Sequence, residues 1–134
     1  MKFNFQFFGP SSGAPIVSIA SYGITFNSSA IEMLKKPKRI LIGFDVSKKV
    51  LGFIPVEKDE DDPAGRSYAF AERERNGVIR ISNKDFLMYV SNKTGVDFSK
   101  SVKYAADWLE EERTMVIELN SPLDSGSDTE MEEE

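Results

Sequence analysis

The stretch that decides the fold is residues 23–55, which read GITFNSSAIEMLKKPKRILIGFDVSKKVLGFIP. The pattern predicts a short strand, a two-turn helix and a hairpin of two very apolar strands. Ser29 followed by Glu32 matches a capping box and predicts that the helix begins at Ala30. Pro37 predicts its end, because the residue before a proline is disfavoured in helical backbone.

The hairpin that follows this helix is apolar on both faces. Its strands are predicted at Arg39–Phe44 and Val50–Pro55, with five residues between them. A strand that is apolar on both faces lies in the middle of a sheet, or has its second face covered by an interface. The hairpin therefore predicts at least a homodimer if it lies at the edge of its sheet.

Further strands are predicted on both sides of this stretch. Phe3, Phe5 and Phe7 alternate within residues 2–8, and residues 16–20 precede the strand that begins at Gly23. An Asn-Gly pair at 76–77 is the best hairpin signal in the chain, because both residues tolerate positive φ. It predicts that residues 66–75 pair with residues 78–82.

A second helix and a final pair of strands complete the expected fold. The helix is predicted from a capping box at Ser82 to a C-cap glycine at Gly95, and the strands at residues 102–108 and 115–119. The sum is an α+β domain of about eight short, mostly antiparallel strands and two short helices. Residues 1–120 are expected to form this single domain.

Composition excludes several chemistries. The 134 residues include no cysteine and no histidine. This excludes disulfides, thiolate catalysis and Ser-His-Asp catalysis, and it removes the commonest transition-metal ligands. No catalytic, cofactor-binding or metal-binding residue is predicted. There is neither an apolar run near the roughly 18 residues of a membrane helix nor a signal peptide, so no membrane partner and a cytoplasmic location are expected.

Charge is distributed unevenly along the chain. Six of the 22 acidic side chains lie in residues 121–134, which contain no base. This segment is predicted to be a disordered acidic tail that could compete with nucleic acid for a basic surface. The remaining residues carry 17 basic and 16 acidic side chains, so the body is nearly neutral. Within it, Glu72 and Glu74 alternate with Arg73 and Arg75 and predict cross-strand ion pairs.

Two charged clusters of the body are candidate binding sites. The candidate nucleic-acid site is basic and consists of Lys35, Lys36, Lys38, Arg39, Lys48 and Lys49. Because a strand of about 20 Å separates the first four from the last two, they are expected to form two patches. The candidate protein-binding site is acidic and consists of Glu57, Asp59, Glu60, Asp61 and Asp62.

The order of elements in residues 23–55 resembles the swapped-hairpin domain of AbrB/SpoVT-type bacterial regulators. The resemblance is carried by Gly23, by Leu34 at the end of the short helix, and by the apolar hairpin. It implies two interdigitated copies forming a dimeric barrel whose basic loops contact DNA. The chain departs from the family pattern at two positions. Asn27 or Ser28 stands where the family usually has a proline that starts the helix, and Lys35 stands where it has a glycine after the helix-ending leucine.

The function that these observations predict is non-enzymatic binding of another protein, which the sequence does not identify. Small acidic chains without histidine or cysteine are similar in kind to phage-encoded accessory proteins and inhibitors of host machinery. The alternative is a swapped-hairpin-like DNA-binding transcriptional regulator that uses the basic cluster. An enzyme or metal-binding domain is the third alternative, which no residue pattern in the sequence indicates.

Overall fold

Residues 13–123, which the computed structural model describes, form nine strands and two helices. All strand pairs are antiparallel, and the fold is α+β, as the sequence predicts. The elements are β1 (Ile16–Ala20), β2 (Gly23–Phe26), α1 (Ser28–Met33), β3 (Arg39–Asp45), β4 (Val50–Val56), β5 (Tyr68–Ala69), β6 (Ile79–Ile81), α2 (Lys84–Thr94), β7 (Val102–Ala105), β8 (Asp107–Leu109) and β9 (Thr114–Glu118). The predicted strand at residues 2–8 and the acidic residues from 124 onward lie outside the described residues.

Four strands form the first sheet, in the order β6-β2-β1-β7. Alternation fixes its two faces, because successive side chains of a strand point to opposite sides. Val17 lies opposite both Phe26 and Tyr104, and Phe26 lies opposite Ile79. These four side chains are fully buried. They therefore form the inner face of the four-stranded sheet.

The second sheet has five strands, in the order β5-β3-β4-β9-β8. The apolar hairpin of β3 and β4 forms within this sheet, which confirms the predicted pairing. β4 is central, because it pairs with both β3 and β9, whereas β3 pairs on its other side only at Arg39 and Ile40 among the described residues. Ile42 lies opposite Phe53 and Phe44 opposite Leu51, so these side chains share the inner face. The dimer predicted for an edge hairpin stays a prediction.

The two inner faces pack against each other to form one core. Phe26 of the four-stranded sheet contacts Phe53 of the five-stranded sheet and also Phe70, with ring centroids 5.1 Å apart in each pair. Both contacts are edge-to-face, the arrangement that aromatic rings favour. All three rings are fully buried. Phe26 thus joins the two sheets.

Both helices begin at an asparagine that the sequence analysis did not select as a cap. The Asn27 side chain accepts hydrogen bonds from the N–H groups of Ala30 and Ile16, at 2.9 and 3.0 Å. It caps α1 and ties the helix to β1, so the predicted start at Ala30 is wrong by two residues. In α2, Asn83 replaces the predicted cap and accepts from the Phe86 N–H at 3.0 Å.

The ends of the helices agree better with expectation. α2 ends at Gly95, whose φ of 78° is the left-handed conformation predicted for a C-cap glycine. α1 ends at Met33, and Lys35 and Lys36, both at positive φ, lie between its C-cap Leu34 and Pro37. Neither helix of the described part of the chain is long and apolar enough to cross a membrane.

The hairpin predicted around residues 76–77 is wrong beyond its turn. Asn76 and Gly77 do adopt positive φ, but the flanking chain pairs only where Arg75 lies opposite Val78. A 3₁₀ turn at Ala71–Arg73 redirects the chain. In consequence β5 joins the five-stranded sheet and β6 joins the four-stranded sheet.

The strand predicted at residues 102–108 is divided at Ala106. The part before it, β7, pairs with β1, and the part after it, β8, pairs with β9 of the other sheet. The N–H of Ala106 donates to the Pro15 carbonyl at 3.0 Å and fixes the crossing point. Apolar alternation continues through the break, so the sequence pattern does not mark it.

Candidate binding surfaces

The predicted basic cluster forms two groups. Lys35, Lys36, Lys38 and Arg39 lie before and at the start of β3, whereas Lys48 and Lys49 lie in the turn beyond its other end. The seven residues of β3 separate the groups by about 20 Å, as expected from strand geometry.

Two cations of the first group already have acceptors within the protein. Lys36 forms an ion pair with Glu74. Arg39 donates to the side-chain oxygen and to the carbonyl of Ser67, at 2.7 Å in both cases. The described residues do not bring the six cations together, and DNA binding through them stays a prediction.

The predicted acidic segment is a folded loop between β4 and β5. The Asp61 carboxylate accepts from the N–H groups of Glu57 and Lys58, at 3.2 and 3.1 Å. The Asp62 carboxylate accepts from the N–H groups of Arg66 and Ser67, at 2.7 and 3.0 Å. Two of the five acids therefore hold the loop in shape.

Hydrogen bonding also lowers the pKa of one carboxylate in this loop. Bonds from the Ser67 side chain and from the Arg66 N–H hold the pKa of Asp62 below its ordinary value. Glu57 lies 3.9 Å from the Arg113 guanidinium, while Asp59 and Glu60 are exposed. Within residues 13–123, no group of three or more acidic side chains is placed to hold a metal ion.

The outer face of the five-stranded sheet carries exposed apolar side chains. Leu41 lies opposite Ile54, and Gly52 lies opposite Val116. Ile54 is 36% exposed, and Leu109, on the edge strand β8, is 40% exposed. β9 lies between these two strands, where Thr114 is opposite Leu109. The name apolar band is used below for Leu41, Ile54, Leu109 and Val116.

Gly43 leaves the surface beside the apolar band open. Gly43 lies opposite Gly52 in the β3–β4 pair. A Cβ atom at Gly43 would meet no atom within 4 Å, so the space above it is open. The acidic segment begins directly after Val56, the last residue of β4, and therefore starts at one end of the same sheet.

The outer face of the four-stranded sheet is polar. Thr25 lies opposite both Ser18 and Arg80, and Ser18 also lies opposite Lys103. These four side chains form one row across the sheet, with hydroxyl groups in the middle and a cation at each end. The name polar row is used below for Arg80, Thr25, Ser18 and Lys103.

A groove with three arginines opens at one end of the polar row. Its volume is about 460 Å³, and it is lined by Thr25, Arg73, Arg75, Val78, Arg80 and Ser82. The name arginine groove is used for it below. Sequence reasoning did not find it, because Arg73 and Arg75 reach Arg80 only through the 3₁₀ turn and the single bridge at Arg75 and Val78.

The guanidinium groups of the arginine groove are held by backbone carbonyls. Arg73 donates to the Ala69 carbonyl at 2.9 Å, and Arg75 donates to the carbonyls of Glu72 and Glu74 at 3.0 and 2.8 Å. Within residues 13–123, neither arginine forms an ion pair. The ion pairs predicted with Glu72 and Glu74 are therefore wrong: their carbonyls, and not their carboxylates, accept from Arg75.

Arg80 is positioned by its neighbours on β2 and in the turn before it. Its guanidinium lies 5.3 Å from the centre of the Tyr22 ring, which is a cation–π contact. Its stem passes over Gly23, where a Cβ atom would lie 3.2 Å from Arg80 Cγ. Within the described chain Arg80 has no carboxylate partner either.

Comparisons of the chain with protein-family models, with curated proteins and with solved structures give no match. Function is therefore inferred from the surfaces themselves. Two of them stand out: the apolar band with the adjoining acidic segment, and the arginine groove with the polar row. The first surface was indicated by the sequence, because the central hairpin is apolar on both faces. No sequence pattern indicated the second.

Proposed function

We propose that this chain is a non-enzymatic binding protein whose partner is another protein. The contact surface is the outer face of the five-stranded sheet, together with the acidic segment that borders it. The observation that carries the proposal is the apolar band, in which Ile54 and Leu109 are exposed and Leu41 and Val116 are partly exposed. Contiguous apolar side chains on an outer face mark interaction sites, because exposure to water is unfavourable and a partner surface removes it.

The geometry of the face suits close packing by a protein surface. Leu41 and Ile54 are direct cross-strand neighbours, so their side chains form one patch. Beside them, Gly43 leaves the backbone accessible to a partner side chain, because a Cβ atom there would meet no atom within 4 Å. Interfaces of this kind have an apolar centre and a polar rim, and a few central side chains dominate the binding energy. Ile54 and Leu109 are expected to be those side chains.

The rim indicates the charge of the partner. Asp59 and Glu60 are exposed in the acidic segment, and neither carboxylate is used within the loop. A partner with apolar residues at its centre and basic residues at its edge fits this arrangement. The charges would mainly increase the rate of association and exclude wrong partners.

The test compares matched substitutions in two exposed regions. Ile54→Glu and Leu109→Glu place a charge in the apolar band, whereas Met88→Glu places the same charge on α2, where Met88 is 63% exposed. The immobilised full chain and its variants are exposed to cell extract, and retained proteins are identified by mass spectrometry. Proteins retained by the native chain and by Met88→Glu, but lost from both band variants, support the proposal.

Two results would contradict it. One is retention of the same proteins by all variants, with circular dichroism showing that each is folded. The other is a homodimer, measured by light scattering, that Ile54→Glu converts to a monomer. In that case a second copy of this chain covers the apolar band.

A further inference from the structure

We propose that the outer face of the four-stranded sheet binds single-stranded nucleic acid, with phosphate groups in the arginine groove and along the polar row, and a base on Tyr22. This site is separate from the apolar band and from the six cations of the predicted basic cluster.

The arginine groove is built to receive an anion. Carbonyl groups fix the guanidinium groups of Arg73 and Arg75 in place without neutralising their charge. The planar guanidinium presents its remaining N–H groups as a fork that matches the oxygens of a phosphate. Three such groups in one groove, without a carboxylate partner among the described residues, leave a concentrated positive charge that an anionic ligand would neutralise.

The polar row extends this charge across the sheet. Three spacings between neighbouring strands separate Arg80 from Lys103, a distance of about 14 Å. The hydroxyl groups of Ser18 and Thr25 lie between them and can donate to phosphate oxygens. Phosphates of one strand recur roughly every 3.4 Å along a nucleic-acid helix. The row is therefore long enough to follow several nucleotides, which a single small anion would not use.

Tyr22 favours nucleic acid over an acidic peptide as the ligand. Its side chain is 50% exposed and lies directly beside the arginine groove, in contact with Arg80. Exposed aromatic rings next to cations are the usual platform for unpaired bases, which stack on them. A peptide carboxylate would use the arginines but not the ring. A duplex would keep its bases stacked inside and leave the ring without a partner.

The described chain ends beside β7, the strand that carries the cation at the opposite end of the polar row. The N–H of Leu123, the last described residue, donates to the carbonyl of Lys103 at 2.8 Å. The sequence that follows, residues 124–134, contains six acidic side chains and no base. Their charge opposes binding of a polyanion, and removal of residues 124–134 is expected to raise affinity.

The experiment measures binding of labelled oligothymidylate and oligouridylate to the full chain by fluorescence anisotropy across a range of salt concentrations. Arg75→Gln and Arg80→Gln test the groove. Arg66→Gln is the matched control, because Arg66 is equally exposed but lies in the loop after the acidic segment. We expect each groove variant to lose about fivefold to tenfold in affinity and to lower the salt slope by about one, since each removes a phosphate contact.

Two further variants separate charge from geometry and stacking. Arg75→Lys keeps the charge but loses the fork, and its affinity should lie between those of the native chain and Arg75→Gln. Tyr22→Leu should weaken binding at every salt concentration while leaving the salt slope unchanged, because stacking releases no counterions. The two oligonucleotides distinguish DNA from RNA, and either one supports the site.

Several outcomes would overturn the inference. The first is no binding at low salt, either by the full chain or by a chain without residues 124–134. The second is an equal loss in Arg66→Gln and the groove variants. The third is binding of a glutamate-rich peptide, or of duplex DNA, as tightly as the single strands with no effect of Tyr22→Leu. Binding that fails in Ile54→Glu would also contradict a site on the four-stranded sheet.

Discussion

The outer faces of the two sheets differ far more than their inner faces do. Both inner faces are apolar and meet at Phe26 and Phe53. Outside, the five-stranded sheet presents the apolar band around two glycines, whereas the four-stranded sheet presents the polar row and the arginine groove. The inner faces build the fold, and the outer faces differ in the side chains that they present to solvent. The contrast therefore indicates two binding surfaces with different chemistry on one core.

The largest expected effect comes from breaking the core that supports both faces. Phe26→Ala removes the ring that contacts Phe53 and Phe70 and leaves a cavity between the sheets. The free energy of unfolding should fall by about 3–5 kcal/mol. Chemical denaturation measures it, and Tyr22→Ala is the control, because Tyr22 is exposed. A loss below about 1 kcal/mol, on the scale of a surface substitution, would contradict this role for Phe26.

A matched pair of glycines tests the two outer faces directly. A Cβ atom at Gly23 would lie 2.9 Å from the Ile81 carbonyl oxygen and 3.2 Å from Arg80 Cγ, whereas one at Gly43 would meet nothing within 4 Å. We expect Gly23→Ala to cost about 1–3 kcal/mol of unfolding free energy. Gly43→Ala should be neutral or stabilise by a few tenths of a kcal/mol, because alanine restricts the unfolded chain.

The two substitutions should also separate the binding surfaces. Gly23→Ala displaces the stem of Arg80 and should weaken nucleic-acid binding, while Gly43→Ala should leave it unchanged. Thermal denaturation and anisotropy together check the pair. Equal destabilisation by both substitutions would show that the faces are not as different as the structure indicates.

Period-two alternation and clear breaks made the central hairpin predictable. Its strands were predicted at residues 39–44 and 50–55, and each extends one residue further in the structure. Alternation reports which side of a strand faces the core, but not which sheet the strand joins. For this reason the crossing at Ala106 and the separation of β5 from β6 were not predictable from the pattern.

The arginine groove could not be predicted for a related reason. Arg73 and Arg75 alternate with acids in the sequence, and local reasoning pairs such neighbours as ions. In the structure Lys36, which follows α1 in the chain, pairs with Glu74. The guanidinium groups of Arg73 and Arg75 donate to backbone carbonyls, and both side chains line the arginine groove. The arginine groove therefore depends on tertiary contacts between segments that are far apart in the sequence, and no local pattern predicts it.

Tyr104 provides a smaller test, at the edge of the four-stranded sheet. Its hydroxyl is buried and donates to the Leu119 carbonyl at 3.0 Å. Burial raises the pKa of Tyr104 from 10.0 to about 12. Because the folded-state pKa is the higher one, this contribution to stability is complete below pH 10 and is lost as the pH rises toward 12.

Tyr104→Phe isolates that contribution. It should cost about 1 kcal/mol of unfolding free energy near neutral pH, because the Leu119 carbonyl loses its donor. It should also flatten the fall in stability between pH 10 and pH 12. Denaturation at a series of pH values, with Tyr89→Phe as an exposed control, measures both. An alkaline fall that persists unchanged in Tyr104→Phe would assign it to another group.

The smallest expected effect concerns the acidic segment beside the apolar band. Hydrogen bonds from the Ser67 side chain and the Arg66 N–H lower the pKa of Asp62, so their stabilisation is present above the ordinary carboxyl pKa, which is 3.8. It is lost as the pH falls through the lower folded-state value. Acidification should therefore loosen the loop that borders the five-stranded sheet while the polar row keeps its structure.

Amide hydrogen exchange can resolve this difference between the two faces. The amides of Arg66 and Ser67 donate to Asp62, so Asp62→Asn should reduce their protection at neutral pH, as acid does in the native chain. Asp97→Asn is the matched control, because the Asp97 carboxylate accepts from the Ser99 N–H in a different loop. Protection of Arg66 that is insensitive both to acid and to Asp62→Asn would mean that the loop is held without Asp62, by the 3₁₀ turn at Asp59–Asp61 and by the Asp61 carboxylate. The acidic segment would then act at the apolar band only through its exposed charges, Asp59 and Glu60.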